Sequence, residues 1–248
     1  MLARLAAGDK AVLDEPQKLW LTMLEPPEAC RPVLEALIRD NRVTADDVWT
    51  RARRQFEANR TGNARNTLGA LPASQTPDAK ALDLVISSPM GYLARQPGNW
   101  NTTRAGRELA ALAIQRIAAN DPRAAANELE KLQGRMQESE RQWAWSQIGL
   151  QAAKKHYPEA VAWFAQAGSA PLSDEGYQWK VRAALRAHDW SMVLATISEM
   201  PPTLAAQPEW VYWLGRAYKA GGLTSEADAL FEKIAGQANF YGNLADEE

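Results

Sequence analysis

The feature that most restricts the fold of this chain is a spacing. Trp145, Trp179 and Trp213 stand 34 residues apart, and the small residues Ala153, Ala187 and Gly221 repeat the same two intervals. In the segments that follow, Ala160, Val193 and Ala227 recur at 33 and 34 residues, as do Phe164, Ile197 and Phe231. A degenerate earlier copy places Ala125 and Leu129 at those second-helix positions. Within each copy apolar residues return every three or four positions, the period of an amphipathic helix. Segments this short cannot bury an apolar face alone, so each has to pack on its neighbours. Small residues let paired helices approach closely, and aromatic side chains fill the grooves between successive pairs. The chain is therefore expected to be all-α, a superhelix or solenoid of paired antiparallel helices repeating at about 34 residues.

Composition points the same way. With 45 alanines and 10 tryptophans among 248 residues but only 4 phenylalanines, the chain is rich in the best helix former and pinned by large aromatics, which excludes an all-β sandwich. The 28 Lys and Arg against 30 Asp and Glu give a net charge of −2 and no global attraction to nucleic acid or an anionic membrane. One Cys and two His exclude a disulfide-dense scaffold, a zinc ribbon and a multi-His metal centre built from this chain alone. Neither a G-x-S-x-G element nor a glycine-rich phosphate loop occurs, and no cofactor is expected. No window approaches 18 uncharged apolar residues, so no membrane span is expected, and the apolar stretch within the first ten residues is too short for a signal peptide.

Helices are expected over residues 16–24, 28–39, 45–58, 63–70, 78–86, 103–119, 122–133, 138–155, 158–167, 174–187, 191–199, 208–220 and 225–237, with another opening at Phe240. Start signals support several: Thr44 with Asp47 three residues on, Asp121 before Pro122, and Thr224 before Ser225 and Glu226. The Pro-, Gly- and Asn-rich stretch 87–101 reads as an irregular linkage inside one continuous array, with a domain boundary as the alternative. The expected organisation is one domain, less regular over 1–97, made of hairpin repeats over 98–239, and ending in a linker helix begun at 240–248. Both ends read as cut.

The last copy, with Leu214, Gly215, Tyr218, Ala227 and Phe231, resembles the tetratricopeptide consensus at its intervals, although Trp210 stands one residue out of place. A repeat reader of single-stranded RNA would need polar or basic residues at equivalent places in each copy. Lys154-Lys155, Ala187-His188 and Gly221-Gly222 do not recur that way.

Candidate chemistry is sparse. Glu138-Ser139 is the most suggestive acid, but in the run QESER at a helix start its residues suit the first turn and cap. A glycosidase also needs a second carboxylate across a cleft, which sequence spacing does not place. His156 and His188 each close the first helix of a repeat, where an imidazole suits the dipole and can bond free carbonyls. Cys30 sits in an amphipathic helix. The stretch 51–65 carries Arg51, Arg53, Arg54, Arg60 and Arg65, with Arg42 upstream, against Asp46, Asp47 and Glu57. Interleaved signs at helical spacing describe a solvated face with local ion pairs more than a polyanion site. The tryptophans, at repeat spacing, are core before they are sugar platforms. Asn59-Arg60-Thr61 and Asn101-Thr102-Thr103 match the short N-glycosylation pattern, which also arises by chance. No catalytic, cofactor-binding or metal-binding residue is assigned within the chain.

Segment 208–248, with Trp210, Tyr212, Trp213, Gly221, Ala227, Phe240, Tyr241 and Gly242, resembles the end of the superhelical domain of soluble lytic murein transglycosylases. There a W-x-Y-W element opens a helix pair that closes on F-Y-G or F-Y-P. Segment 19–37, containing L-W-L-T and then Ala29-Cys30, resembles a second element of that family, so the likeness runs the length of the chain. It implies a periplasmic parent that cleaves between N-acetylmuramic acid and N-acetylglucosamine without water, leaving a 1,6-anhydro sugar. In the family one Glu of an E-S-x-F motif, followed by G-L-M-Q, serves as acid and then base in a lysozyme-like domain after the superhelix. Nothing after Glu138-Ser139 matches G-L-M-Q, so that role is not carried onto Glu138. What the resemblance implies for this chain is the non-catalytic part, inactive alone, that helps guide glycan strands to a C-terminal catalytic domain. It also allows Cys30 to be half of a disulfide with an upstream partner, a plain thiol being the alternative. A tetratricopeptide-type scaffold for a protein or peptide is the rival reading.

Overall fold

The computed structural model describes residues 2–248, the side chains of Leu2 and Lys18 apart, and shows seventeen α-helices and no strand among them. Two compact units divide the chain, 1–113 and 114–248. In the first, α1 is Leu2–Ala6, α2 Asp14–Leu19, α3 Arg31–Arg39, α4 Ala45–Glu57, α5 Thr61–Leu68, α6 Ala79–Ser87 and α7 Pro89–Arg95. Helix α8, Arg104–Asn120, contributes to both units. In the second, α9 is Pro122–Leu132, α10 Glu138–Lys154, α11 Ala160–Gln166, α12 Asp174–Arg186, α13 Trp190–Ser198, α14 Pro202–Ala205, α15 Pro208–Ala220, α16 Thr224–Phe231 and α17 Phe240–Ala245.

The all-α expectation holds, and the pairing is that of hairpins: α4 with α5, α10 with α11, α12 with α13, α15 with α16. Where the expected starts were strongest, the caps are in place. Thr44 Oγ1 accepts from the Asp47 amide at 3.2 Å while Asp47 Oδ2 accepts from the Thr44 amide at 2.8 Å, a reciprocal box that opens α4. Asp121 Oδ1 accepts from the amides of Arg123 and Ala124, each at 3.0 Å. Thr224 does not cap: it is already the first residue of α16, and Leu223 precedes it without a side-chain cap.

The stretch 87–101 is more ordered than its composition predicts. Pro89 stands at the first turn of α7, where a missing N–H costs nothing, and Trp100–Thr102 forms a 3-10 turn. At the other end of the chain the helix expected over 225–237 stops at Phe231 and continues as turns to Gly236.

Five helix ends share one geometry. Asn41, Asn59, His156, His188 and Gly222 all have positive φ, between 53° and 81°. In each, the residue after this one reaches back to close the turn: Tyr157 N–H donates to Ala152 C=O at 2.9 Å, Asp189 to Ala184 at 2.9 Å, and Leu223 to Tyr218 at 2.9 Å. These are Schellman closures, which satisfy the free carbonyls of a helix end from the backbone itself. His156 and His188 are therefore placed by main-chain conformation. Their exposed imidazoles do not carry the carbonyl-bonding role read from the sequence. Counted from these closures, the first-helix interval is 34 residues between His188 and Gly222 and 32 between His156 and His188. Trp145 accordingly sits two residues earlier in its helix than Trp179 and Trp213 do in theirs, and it is buried where they are half-buried.

The core of unit 2 is a chain of clusters. One gathers Leu150, Ala153, Ala160 and Phe164; the next Val181, Val193, Ile197 and Trp210; the third Tyr212, Ala227, Phe231 and Ile234. Helix α10 packs against α9, α11 and α12, which is why its buried residues lie all around it. In α11 Phe164 faces Gly149, and in α16 Phe231 faces Gly215. A side chain at either glycine would meet the phenyl ring.

Candidate ligand-binding site

Unit 1 contains a buried polar construction, and it begins with α4. Positions 51, 54 and 55 lie on one face of a helix by spacing, and all three point their polar ends at the backbone of segment 20–24. Arg51 Nη1 donates to the Trp20 carbonyl and its Nη2 to the Met23 carbonyl at 2.6 Å. Arg54 Nη1 reaches the Leu21 carbonyl at 3.2 Å and Gln55 Nε2 the Leu24 carbonyl at 2.8 Å. Segment 20–24 has no regular helix to satisfy these carbonyls, and the α4 side chains supply what a helix would. The Arg51 guanidinium also lies over the Trp20 ring, 4.5 Å from its centroid, while Trp20 Nε1 donates to the Asp47 carbonyl at 3.1 Å. Arg51 is only 2% exposed. Burial pushes its guanidinium below the ordinary arginine value.

Beside this grip is a cavity of about 450 Å³, within the range of small-molecule pockets, roughly 300–1,000 Å³. Trp20, Arg51 and Gln55 line one part of it, Asn63, Asn66 and Thr67 of α5 another, and Pro26, Leu34 and Ile38 provide apolar wall. Glu28, Arg31 and Glu35 also line it; Arg31 lies 3.6 Å from Glu28 and 3.9 Å from Glu35. Gln55 is 1% exposed, and its Oε1 is buried without a hydrogen-bond partner.

The basic stretch is thus largely structural, and the solvated-face reading is corrected at Arg51, which is buried. Arg53 Nε meets the buried carboxylate of Glu108 at 2.8 Å, Arg60 meets Glu25 at 3.1 Å and Arg65 meets Asp83 at 2.5 Å. Glu108 also receives Arg104, 3.4 Å away. Most of these partners lie far along the chain and not one helical turn away, because the cations join helices where local pairs were expected. Glu138 is the first residue of α10 and accepts from Gln142 Nε2 at 2.8 Å, a first-turn role. Cys30 is a half-buried free thiol ending a 3-10 turn before α3. A second, smaller cavity of about 140 Å³ lies by His156, Tyr157 and Arg186, lined mostly by Ala, Val and Pro. Among the described residues no group of three or more His, Cys, Asp or Glu side chains is arranged to hold a metal ion.

The cavity of unit 1 was not foreseen. Its sequence signal was the pairing of L-W-L-T with a helix carrying Arg51, Arg54 and Gln55 on one face, and the acceptors, main-chain carbonyls about 30 residues upstream, leave no trace in side-chain chemistry.

No family model matches the chain, and no curated protein matches it. Solved structures do. Over 99% of its residues the chain is similar to the lytic transglycosylase Slt of Pseudomonas aeruginosa, seen as an inactive mutant, at 26% identity and a TM-score of 0.59. The 70-kDa soluble lytic transglycosylase in complex with bulgecin A aligns over 99% at 22% identity and a TM-score of 0.52, and Slt70 of Escherichia coli over 99% at 21% and 0.50. The last two show likeness of fold. In all three, the chain spans 40% of the length of the protein it matches.

Proposed function

This chain shares the helical fold of the soluble lytic transglycosylases, matched end to end, and from that premise we propose that it is the non-catalytic helical part of such an enzyme. Its work is to hold or guide glycan strands of peptidoglycan for a lysozyme-like catalytic domain that cleaves between N-acetylmuramic acid and N-acetylglucosamine. The setting that follows is the periplasm, and no described helix is long and apolar enough to cross a membrane. The observation that carries the reading is the alignment of 99% of the chain with the Pseudomonas enzyme at 26% identity. The aromatic elements at both ends, Trp20 and Trp210 to Tyr241, are structural parts of that fold: Trp20 and Trp210 are buried and Tyr212 meets Phe231 and Tyr241 in tilted ring contacts.

The test is incubation of the chain with purified sacculi, followed by chromatography of the soluble products and by pelleting. We expect co-sedimentation with sacculi and no anhydro-muropeptide release. Release by this chain alone overturns the non-catalytic reading. Saturable binding to a peptide, with no affinity for sacculi, would instead favour a protein-binding helical scaffold.

A further inference from the structure

We propose that the smaller cavity of unit 2 binds a carboxylate carried on a short apolar group, the chemistry of an alanine C-terminus or of a small free acid. The cavity lies where the closing turn of α10 meets the start of α11 and the end of α12. Its volume is about 140 Å³. An apolar cavity of about 150 Å³ holds benzene, so the space takes a guest, or the end of one, of about six heavy atoms. Ala153, Val161, Ala183 and Ala187 line the wall with small apolar groups, while the rim carries His156 and Arg186, both exposed. Cationic side chains at a helix end ordinarily serve its free carbonyls. Here the backbone does so: His156 N–H donates to Ala153 C=O at 3.0 Å, Tyr157 N–H to Ala152 C=O at 2.9 Å and Asp189 N–H to Ala184 C=O at 2.9 Å. Two neighbouring cations are spent on acids, Lys154 on Glu175 and Arg123 on Glu159, each at 2.8 Å. Arg186 forms no ion pair among the described residues. An accessible guanidinium beside a small apolar wall suits an anion with a hydrocarbon foot. The carboxylate meets the guanidinium in a charge-assisted, two-point contact, the methyl or ethyl group takes the wall, and the His156 imidazole offers a further donor. A neutral guest of that size would leave Arg186 unused, and an inorganic anion would leave the wall unused. The inference is independent of the strand reading.

The experiment is a 1H–15N NMR titration of the 248-residue chain with propionate, reading the Arg186 Nε–H group and the backbone amides of 153–161 and 183–187. Saturable shifts confined to these residues are expected, with propionamide, the neutral counterpart, and inorganic phosphate each at least tenfold weaker. N-acetylalanine separates the two sources: binding at least as tight as that of propionate assigns a peptide end, and weaker binding a free acid. Arg186→Gln, at an exposed position, should weaken propionate binding by tenfold or more with the circular dichroism unchanged. Ala187→Leu keeps the guanidinium but enlarges a side chain on the cavity wall, and it should weaken binding to a similar degree. Equal binding by propionamide or by phosphate, unchanged binding in either folded variant, or shifts that do not saturate overturn the site.

Discussion

Gly215 in α15 lies so close to the ring of Phe231 in α16 that a methyl group on its Cα would come within 2.5 Å of that ring. Gly149 and Phe164 stand in the same relation two hairpins earlier, at 2.9 Å. Glycine is a poor helix interior residue, by about 1 kcal/mol against alanine, so its presence at both places reflects the closeness of the paired helices. Gly215→Ala trades that propensity gain for overpacking of about 1–3 kcal/mol. A net loss of about 1 kcal/mol is expected in urea unfolding. In a Phe231→Leu background the same change should become neutral or stabilising, and an equal loss in both backgrounds would show that the ring is not the cause.

Arg51→Lys should cost unit 1 about 2 kcal/mol. An ammonium cannot present the planar fork that meets the Trp20 and Met23 carbonyls together. Hydrogen exchange at residues 20–24, compared with residues in unit 2, would locate the loss; uniform protection across both units would contradict it.

His188 pays for a left-handed backbone that glycine adopts freely, φ being +56°. His188→Gly should therefore raise stability by up to about 1 kcal/mol, whereas His188→Ala should leave it nearly unchanged. Urea unfolding of the two variants checks this; a loss of stability in His188→Gly would mean that the imidazole, and not the backbone conformation, holds the position.

Glu248 is held by Arg216 at 2.9 Å, Lys219 at 2.8 Å and the Tyr212 hydroxyl at 3.1 Å. Partial burial pushes its carboxyl up, but the hydrogen bonds from Lys219 and Tyr212 and the Arg216 charge outweigh this and hold it below its ordinary 4.5. A carboxylate depressed in the folded state lends stability above its unfolded value and loses it as pH falls through the folded one. Protection of the α17 amides should accordingly decline as the pH falls below the ordinary carboxylate range, and a 13C titration of Glu248 should give a midpoint under 4.5. A midpoint at or above that figure would mean the cluster does not form in solution.

The helices were legible because period and caps act locally. Thr44 with Asp47 opens α4, and Phe240 opens α17, capped by Asn239, whose Oδ1 accepts from Gly242 N–H at 2.9 Å. The expectation failed where composition was weighed above a single position. Pro89 begins a helix, and the density of Pro, Gly and Asn around it hid this. The cavity left no pattern of facing side chains to find. A motif search looks for side chains that meet side chains, whereas Arg51, Arg54 and Gln55 meet carbonyls that every residue type carries.

The clusters of unit 2 overlap along the chain. Tyr177 packs against both the first and the second, and Trp213 against both the second and the third, while helices α12 and α15 each carry buried residues of two clusters. Each hairpin is closed by its own backbone turn, so most of its contacts lie close in sequence, a topology that shortens the search to the native state. Helices shared between neighbouring clusters then carry cooperativity from one hairpin to the next, so a disturbance at one end of unit 2 passes along it step by step.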